Sequence, residues 1–251
     1  LQPERVRDPS SLEALKSLHP DLMVVVAYGQ ILSPAVLAIP PRGCVNVHAS
    51  LLPKYRGAAP IARAILAGET KTGVTTILMD PGMDTGPVLL TAETNIEESD
   101  TLGTLHDRLA RMGAHLLVQT LEGLEKRTLT PLPQDPSQAT YAPKIQKEEG
   151  RINWQTPARH LFNLLRAFDP WPGAFTIWAG RILKLFQPSP LEEEAKEAPG
   201  TVVQASAAGL RIATSHGYLL VRELQLESRP RMTVNEFLRG YPLKPGGQLG
   251  A

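Results

Sequence analysis

Cysteine is almost missing from this chain: Cys44 is the only one among 251 residues. A single thiol excludes an intrachain disulfide framework and any thiolate cluster for structural zinc. Long hydrophobic runs are missing too. The apolar stretches near Leu22–Ala27 and Leu161–Phe168 fall far short of the roughly 20 residues that a membrane-spanning helix needs. Excess charge of one sign is absent, with a formal net charge of +1. There is no G-x-S-x-G elbow, no glycine-lysine phosphate loop and no H-E-x-x-H pair, and "AYGQ" has too few glycines for a dinucleotide fingerprint. A catalytic metal would need carboxylates gathered from several loops, and no pattern points to one. The opening "LQPERVRDPSS" has neither an initiating Met nor a signal-peptide core and reads like the middle of a domain. A cytoplasmic protein with no membrane partner and no metal is the expectation.

What is present suffices for a core: 42% hydrophobic and only 20% charged residues. Charge is unevenly spread. Residues 1–140 hold 12 Lys+Arg against 15 Asp+Glu, a net of −3, and residues 141–251 hold 14 against 10, a net of +4. The asymmetry is compatible with an anionic partner on the second half but too small to prove one, and an ordinary solvated surface is the simpler reading.

Asp8-Pro9 is a helix start, Asp as N-cap and Pro at the first helical position. The run Leu22–Ala27 lacks alternation, the pattern of a strand buried on both faces in a parallel sheet. A short helix is expected over Ile31–Ile39, then a strand "CVNVH" and a helix near Ala58–Ala67. "GVTTILM" and "GPVLLTAETNI" read as strands, and Asp100 as the cap of a long helix to about Leu124. This alternation predicts an α/β domain over residues 1–128. Residues 129–148, rich in Pro, Gln, Ser and Thr, read as a linker. Residues 149–251 hold the helix "TPARHLFNLLRAF" and then short, regularly spaced strands, which predict a small antiparallel barrel. Because a helix rather than a strand opens the chain, an open parallel sheet would be missing its N-terminal portion.

The chemistry centres on "NVHASLLPKYRG". On a strand, Val45 and Val47 share one face while Asn46 and His48 share the other. An Asn amide can donate to a developing oxyanion, and a histidine can move a proton at neutral pH. The bland alternative is a strand-end histidine that only makes structural hydrogen bonds, beside an Asn of local turn chemistry. A candidate third group lies in "MDPGMDTGP", where Asp84 could orient the imidazole; Asp80 is the rival acid, with a turn cap as its plain role. Spacing does not choose between them.

Together, Asn-x-His-x-Ser-Leu-Leu-Pro and "MDPGMDTGP" resemble the 10-formyltetrahydrofolate-dependent formyltransferase family. The resemblance implies Asn46, His48 and Asp84 as the catalytic trio. It implies a folate pocket lined by Tyr28, Gly29, Gln30 and Ile31 and by Ser50, Leu51, Leu52 and Pro53. "YRGAAPI", "TYAPKI", "INW", "LLRAFDPWPGAF" and "MTVNEFLRGYPLKPGGQLG" are similar to the branch that formylates initiator methionyl-tRNA. That branch implies a Rossmann-like domain, here N-terminally incomplete, followed by an oligonucleotide-binding-like β-barrel. It also implies 10-formyltetrahydrofolate as co-substrate and a monomer. Arg56, Lys144, Lys147 and Arg151 (with Arg159) are the candidate acceptor or tRNA contacts. The alternative is a formyltransferase acting on a nucleotide-linked amino sugar with the same folate donor.

Overall fold

The computed structural model describes residues 2–250. Two compact units emerge. The first comprises residues 1–64, 70–97 and 105–144; the second comprises residues 65–69, 98–104 and 145–251.

The first unit is a Rossmann-like α/β layer. Its elements are α1 (Pro9–Ser17), β1 (Met23–Val25), α2 (Pro34–Leu37), β2 (Cys44–His48), α3 (from Pro60 to Leu66), β3 (Lys71–Leu78), β4 (Val88–Asn95) and most of α4 (Leu102–Glu125). The strands lie in the order β1-β2-β3-β4. Only β1 and β2 are parallel, with Val25 opposite Asn46; β2–β3 and β3–β4 are antiparallel. The expected parallel sheet is thus a mixed one. β1 is also an edge strand rather than a strand buried on both faces, and Val24 is 41% exposed. An unalternating apolar run reports burial and carries no information on strand direction.

α4 covers the valine face of β2, where Val45 is buried and Val47 half-buried. Leu105, Leu109, Gly113 and Leu116 recur at helical spacing as its buried stripe. Gly113 sits so close to the sheet that an added Cβ would lie 3.1 Å from Val47 and 3.5 Å from Val74. The cap of α4 is supplied by Thr101, whose hydroxyl oxygen accepts the Thr104 N–H at 3.3 Å, while Asp100 accepts from the Thr104 hydroxyl.

The second unit contains α5 (Ala158–Ala167), β5 (Phe175–Trp178), β6 (Arg181–Leu191), β7 (Val202–Ser206), β8 (Gly209–Ala213), β9 (Tyr218–Leu226), β10 (Met232–Thr233) and α6 (Val234–Gly240). The strand order is β5-β6-β9-β8-β7, with β10 continuing the second edge of β9. Leu161, Phe162 and Leu165 of α5 join Leu183, Leu185, Leu219, Val221, Leu224 and Phe237 in one apolar core.

The expected barrel is corrected here: the sheet is open and uncurled, because β5 and β7 do not pair. Their outer edges are satisfied by irregular chain instead. Ile152 donates to Phe175 O at 2.7 Å, while Val202 donates to Gly247 O at 2.8 Å and its carbonyl accepts from Gly246 at 2.9 Å. Covering an edge with such segments removes the drive to close the sheet on itself. Short, evenly spaced strands predict antiparallel pairing equally well for open and closed sheets.

Candidate active site

Alternation on β2 puts Asn46 and His48 on the face opposite the two valines, and the β3–β4 loop folds onto that polar face. The loop is tied by its own residues. Asp80 accepts the Gly82 N–H at 3.0 Å and the Thr85 hydroxyl at 2.6 Å, so it is the turn-capping acid. A Cβ on Gly86 would collide with the Leu78 carbonyl, so only glycine lets the loop return this closely. Asp84 stands at φ +54°, a left-handed conformation that costs a non-glycine residue about 1–2 kcal/mol.

The trio comes together around the Asp84 carboxylate. Oδ1 accepts from the Asn46 amide at 3.4 Å, and Oδ2 accepts the Gly57 N–H at 2.8 Å. His48 Nδ1 lies 3.5 Å from Oδ2. The other ring nitrogen, Nε2, donates to the Tyr55 carbonyl at 2.9 Å. Both nitrogens therefore face acceptors. A neutral ring can donate to one of them, and a doubly protonated ring to both. His48 is buried, at 6% exposure, and Asn46 is half-buried. Cys44, also on β2, is buried, and burial pushes its thiol pKa up.

The other predicted residues are placed less uniformly. Ser50 is buried; its hydroxyl closes the following turn on the Lys54 carbonyl at 2.6 Å, and its own carbonyl accepts from Thr75 Oγ1 at 2.7 Å. Leu52 is buried too, its N–H donating to Thr75 Oγ1 at 3.2 Å, and Leu51 and Pro53 are half-buried. These residues build the wall beside His48 more than they offer polar groups to a ligand. Because β1 and β2 are parallel, the chain leaving β1 reaches Tyr28–Ile31 at the His48 end of β2. Tyr28 and Gly29 are exposed, as is Ile31; Gln30 turns to the N-terminal segment, accepting the Val6 N–H and donating to Glu4 O. Tyr28 also lines an apolar groove of about 710 Å³ with Met23, Val25 and Val36, and none of the trio reaches that groove.

Among the basic candidates, Lys144, Lys147 and Arg151 are exposed. Arg159 is held by Glu98 at 2.6 Å, which raises its pKa further. Arg56 is different: it is 4% exposed, and its Nε and Nη2 donate to Gln134 Oε1 at 3.0 and 2.6 Å. It is committed within the protein. Three contributors were not visible in the sequence: the Tyr55 carbonyl, the Gly57 N–H and Gln134. Two are backbone groups without a residue-type signature, and Gln134 lies in a segment without periodicity.

A mixed α/β layer thus brings an amide, an imidazole and a carboxylate together from one strand face and one loop. The formyl transferase family model matches residues 1–121, and the model of its C-terminal domain matches residues 144–242. The chain belongs to the formyl transferase family. Within it, the chain is 50% identical to the methionyl-tRNA formyltransferase of Pelobacter propionicus, over all of this chain and 78% of that protein. Among solved structures, HypX from Aquifex aeolicus in complex with tetrahydrofolic acid has a similar fold, with a TM-score of 0.70 at 22% identity over 91% of this chain and 41% of HypX. WlaRD, a sugar 3N-formyl transferase solved with dTDP and 5-N-formyl-THF, has a TM-score of 0.67 at 19% identity, covering 86% of this chain and 77% of that one.

These matches correct the expectation of an N-terminally incomplete formyltransferase domain. The family match begins at residue 1 and the relative aligns over the whole chain, so the aligned region includes the N-terminal formyltransferase domain. Among the described residues, no helix is long and apolar enough to cross a membrane.

Proposed function

We propose that this chain transfers the formyl group of 10-formyltetrahydrofolate to the α-amine of initiator methionyl-tRNA, with Asn46, His48 and Asp84 as the reacting groups. The observation that carries the reading is the Asp84 carboxylate, which lies against Asn46 and His48 at once. The amine nitrogen bonds to the formyl carbon, the bond from that carbon to the folate nitrogen breaks, and one proton passes from amine to folate nitrogen. Negative charge grows on the formyl oxygen. Asn46 uses one amide hydrogen on Asp84, and its second is the donor for that oxygen.

His48 carries the proton. With Nε2–H on the Tyr55 carbonyl, the incoming proton joins Nδ1, where the Asp84 carboxylate accepts it as a hydrogen bond. The imidazolium formed then has an acceptor at each nitrogen, which stabilises it until the proton returns to the leaving folate nitrogen. No covalent enzyme intermediate is required. Lys144, Lys147 and Arg151 are the proposed phosphate contacts for tRNA. The protein acts as a cytoplasmic monomer, and Tyr28–Ile31 with Ser50–Pro53 border the folate.

The test is formyl transfer by His48→Ala and Asn46→Ala, assayed beside the unaltered protein with charged initiator tRNA and with nucleotide-linked amino sugars. The expected result is transfer to tRNA only, and a loss of roughly 10²–10⁴-fold in each variant. Near-normal rates in His48→Ala would remove it from the proton path. Transfer to the amino sugar in preference to tRNA would reassign the acceptor.

A further inference from the structure

Gln134 lies in a stretch that neither family model matches, between residues 121 and 144. It nevertheless reaches the site. Its amide nitrogen donates to two carbonyls of the β3–β4 loop, Asp84 O at 2.8 Å and Gly86 O at 2.7 Å. Its amide oxygen accepts both Arg56 bonds. A carboxamide has two N–H donors and two lone-pair directions, so this side chain is saturated by these four contacts.

Its backbone is fastened on both sides. Upstream, Leu132 exchanges two hydrogen bonds with Val88, the first residue of β4, each of 2.8 Å. Downstream, Arg56 N donates to Thr140 O at 2.9 Å and Ala142 N donates to Arg56 O at 2.7 Å. Arg56 thus holds this segment through its backbone and Gln134 through its side chain. Its two neighbours finish the arrangement: Tyr55 O accepts from His48, and Gly57 N donates to the Asp84 carboxylate.

The chemistry of the contacts selects glutamine. Two carbonyl oxygens face the residue on one side, and they need a neutral group with two donors on one atom. A glutamate there would set oxygen against oxygen. Arg56 decides the orientation, because a guanidinium bonds only the oxygen end and so turns the NH₂ end toward the loop. Asp84, at φ +54°, is otherwise in a backbone conformation that its residue type disfavours. From these contacts we propose that Gln134, oriented by Arg56, is a positioning residue that holds Asp84 in its left-handed conformation with the carboxylate on Asn46 and His48. The proposal rests on the reading of those three residues as the reacting groups.

The experiment compares Gln134→Met, Gln134→Glu, Arg56→Met and the double variant Arg56→Met/Gln134→Met with His48→Ala in steady-state formyl transfer to charged initiator tRNA. Both Gln134 variants are expected to lose roughly 10–100-fold in kcat, with KM for tRNA and folate within about twofold, because a displaced carboxylate harms only the reacting geometry. The double variant should lose no more than the worse single one, the signature of two residues acting along one path. Gln134→Glu keeps the size of the side chain and serves if Gln134→Met fails to fold.

Folded Gln134→Glu with unchanged kcat, while His48→Ala is inactive, would overturn this proposal and leave the site assignment standing. An active His48→Ala would instead bring down the site assignment. An Arg56→Met variant with normal kcat and a raised, salt-dependent KM for tRNA would make Arg56 an acceptor contact and refute its orienting role.

Discussion

Asp84 in the first unit and Ala179 in the second share one backbone conformation, with φ of +54° and +49°. They serve different ends. Trp178 pairs with Arg181, so Ala179 and Gly180 form a two-residue hairpin loop with both φ values positive. Such a turn matches the twist of the strands it joins, so the geometry is a local solution to connecting β5 and β6. At Asp84 no tight hairpin demands the conformation. It is met by hydrogen bonds from outside the loop, and its carboxylate lies against Asn46 and His48, the proposed reacting groups. Tyr55 and Gly57, at φ +61° and +116°, stand on the same footing and face His48 and Asp84. Left-handed backbone in one unit makes a turn; in the other it brings the groups around Asp84, Asn46 and His48 together.

The sharpest way to break that comparison is to put glycine at Asp84. Glycine accepts the conformation freely, so the loop keeps its path while the carboxylate disappears. Asp84→Gly should lose roughly 10²–10⁴-fold in kcat for formyl transfer, with stability to urea within about 1 kcal/mol of the original. A kcat within threefold would mean that the Asp84 carboxylate has nothing to do with catalysis, and the contrast with Ala179 would collapse.

The half of this contrast that concerns side chains was legible in the sequence. Alternation placed Asn46 and His48 on one face of β2, and the family resemblance favoured Asp84 where spacing left Asp80 open. Hydrogen bonding gives the physical reason for that preference, since Asp80 is spent on Gly82 and Thr85. What stayed hidden was set by the backbone and by long-range partners. Apolar runs do not encode strand direction, so the mixed sheet was missed, and strand spacing does not encode closure, so an open sheet was taken for a barrel. Gln134 was hidden in a segment whose Pro, Gln and Ser content reads as a tether. The burial of Arg56, a candidate acceptor contact by sequence, was hidden too, because burial of one long side chain in a turn leaves no periodic trace.

A second, weaker test separates the units by the kinetic constant each controls. Lys147 and Arg151, both exposed in the second unit, are proposed phosphate contacts. Replacing either with Ala should weaken tRNA binding without changing kcat, and should reduce the slope of log K against log salt by about 1. The binding measurement is a salt titration at fixed tRNA. An unchanged slope in both variants would take these cations out of the interface, and a lowered kcat would mean that they act on the chemistry assigned to the first unit.

The smallest expected effect completes the comparison from the side of Ala179. Here glycine should help slightly. Relief of left-handed strain contributes about 1–2 kcal/mol, and the greater freedom of glycine in the unfolded chain offsets about 0.4–1 kcal/mol of it. Nothing lies within 4 Å of a Cβ built on the neighbouring Gly180, so the loop is open and needs no packing from either residue. Ala179→Gly should therefore raise stability by roughly 0.5 kcal/mol, read as a higher urea midpoint at unchanged slope, while kcat and KM stay as they are. The same substitution that silences the site at Asp84 would leave the hairpin marginally better. A loss of more than about 1 kcal/mol at Ala179 would show that its side chain is used, and that the second unit also holds left-handed backbone for a purpose beyond the turn.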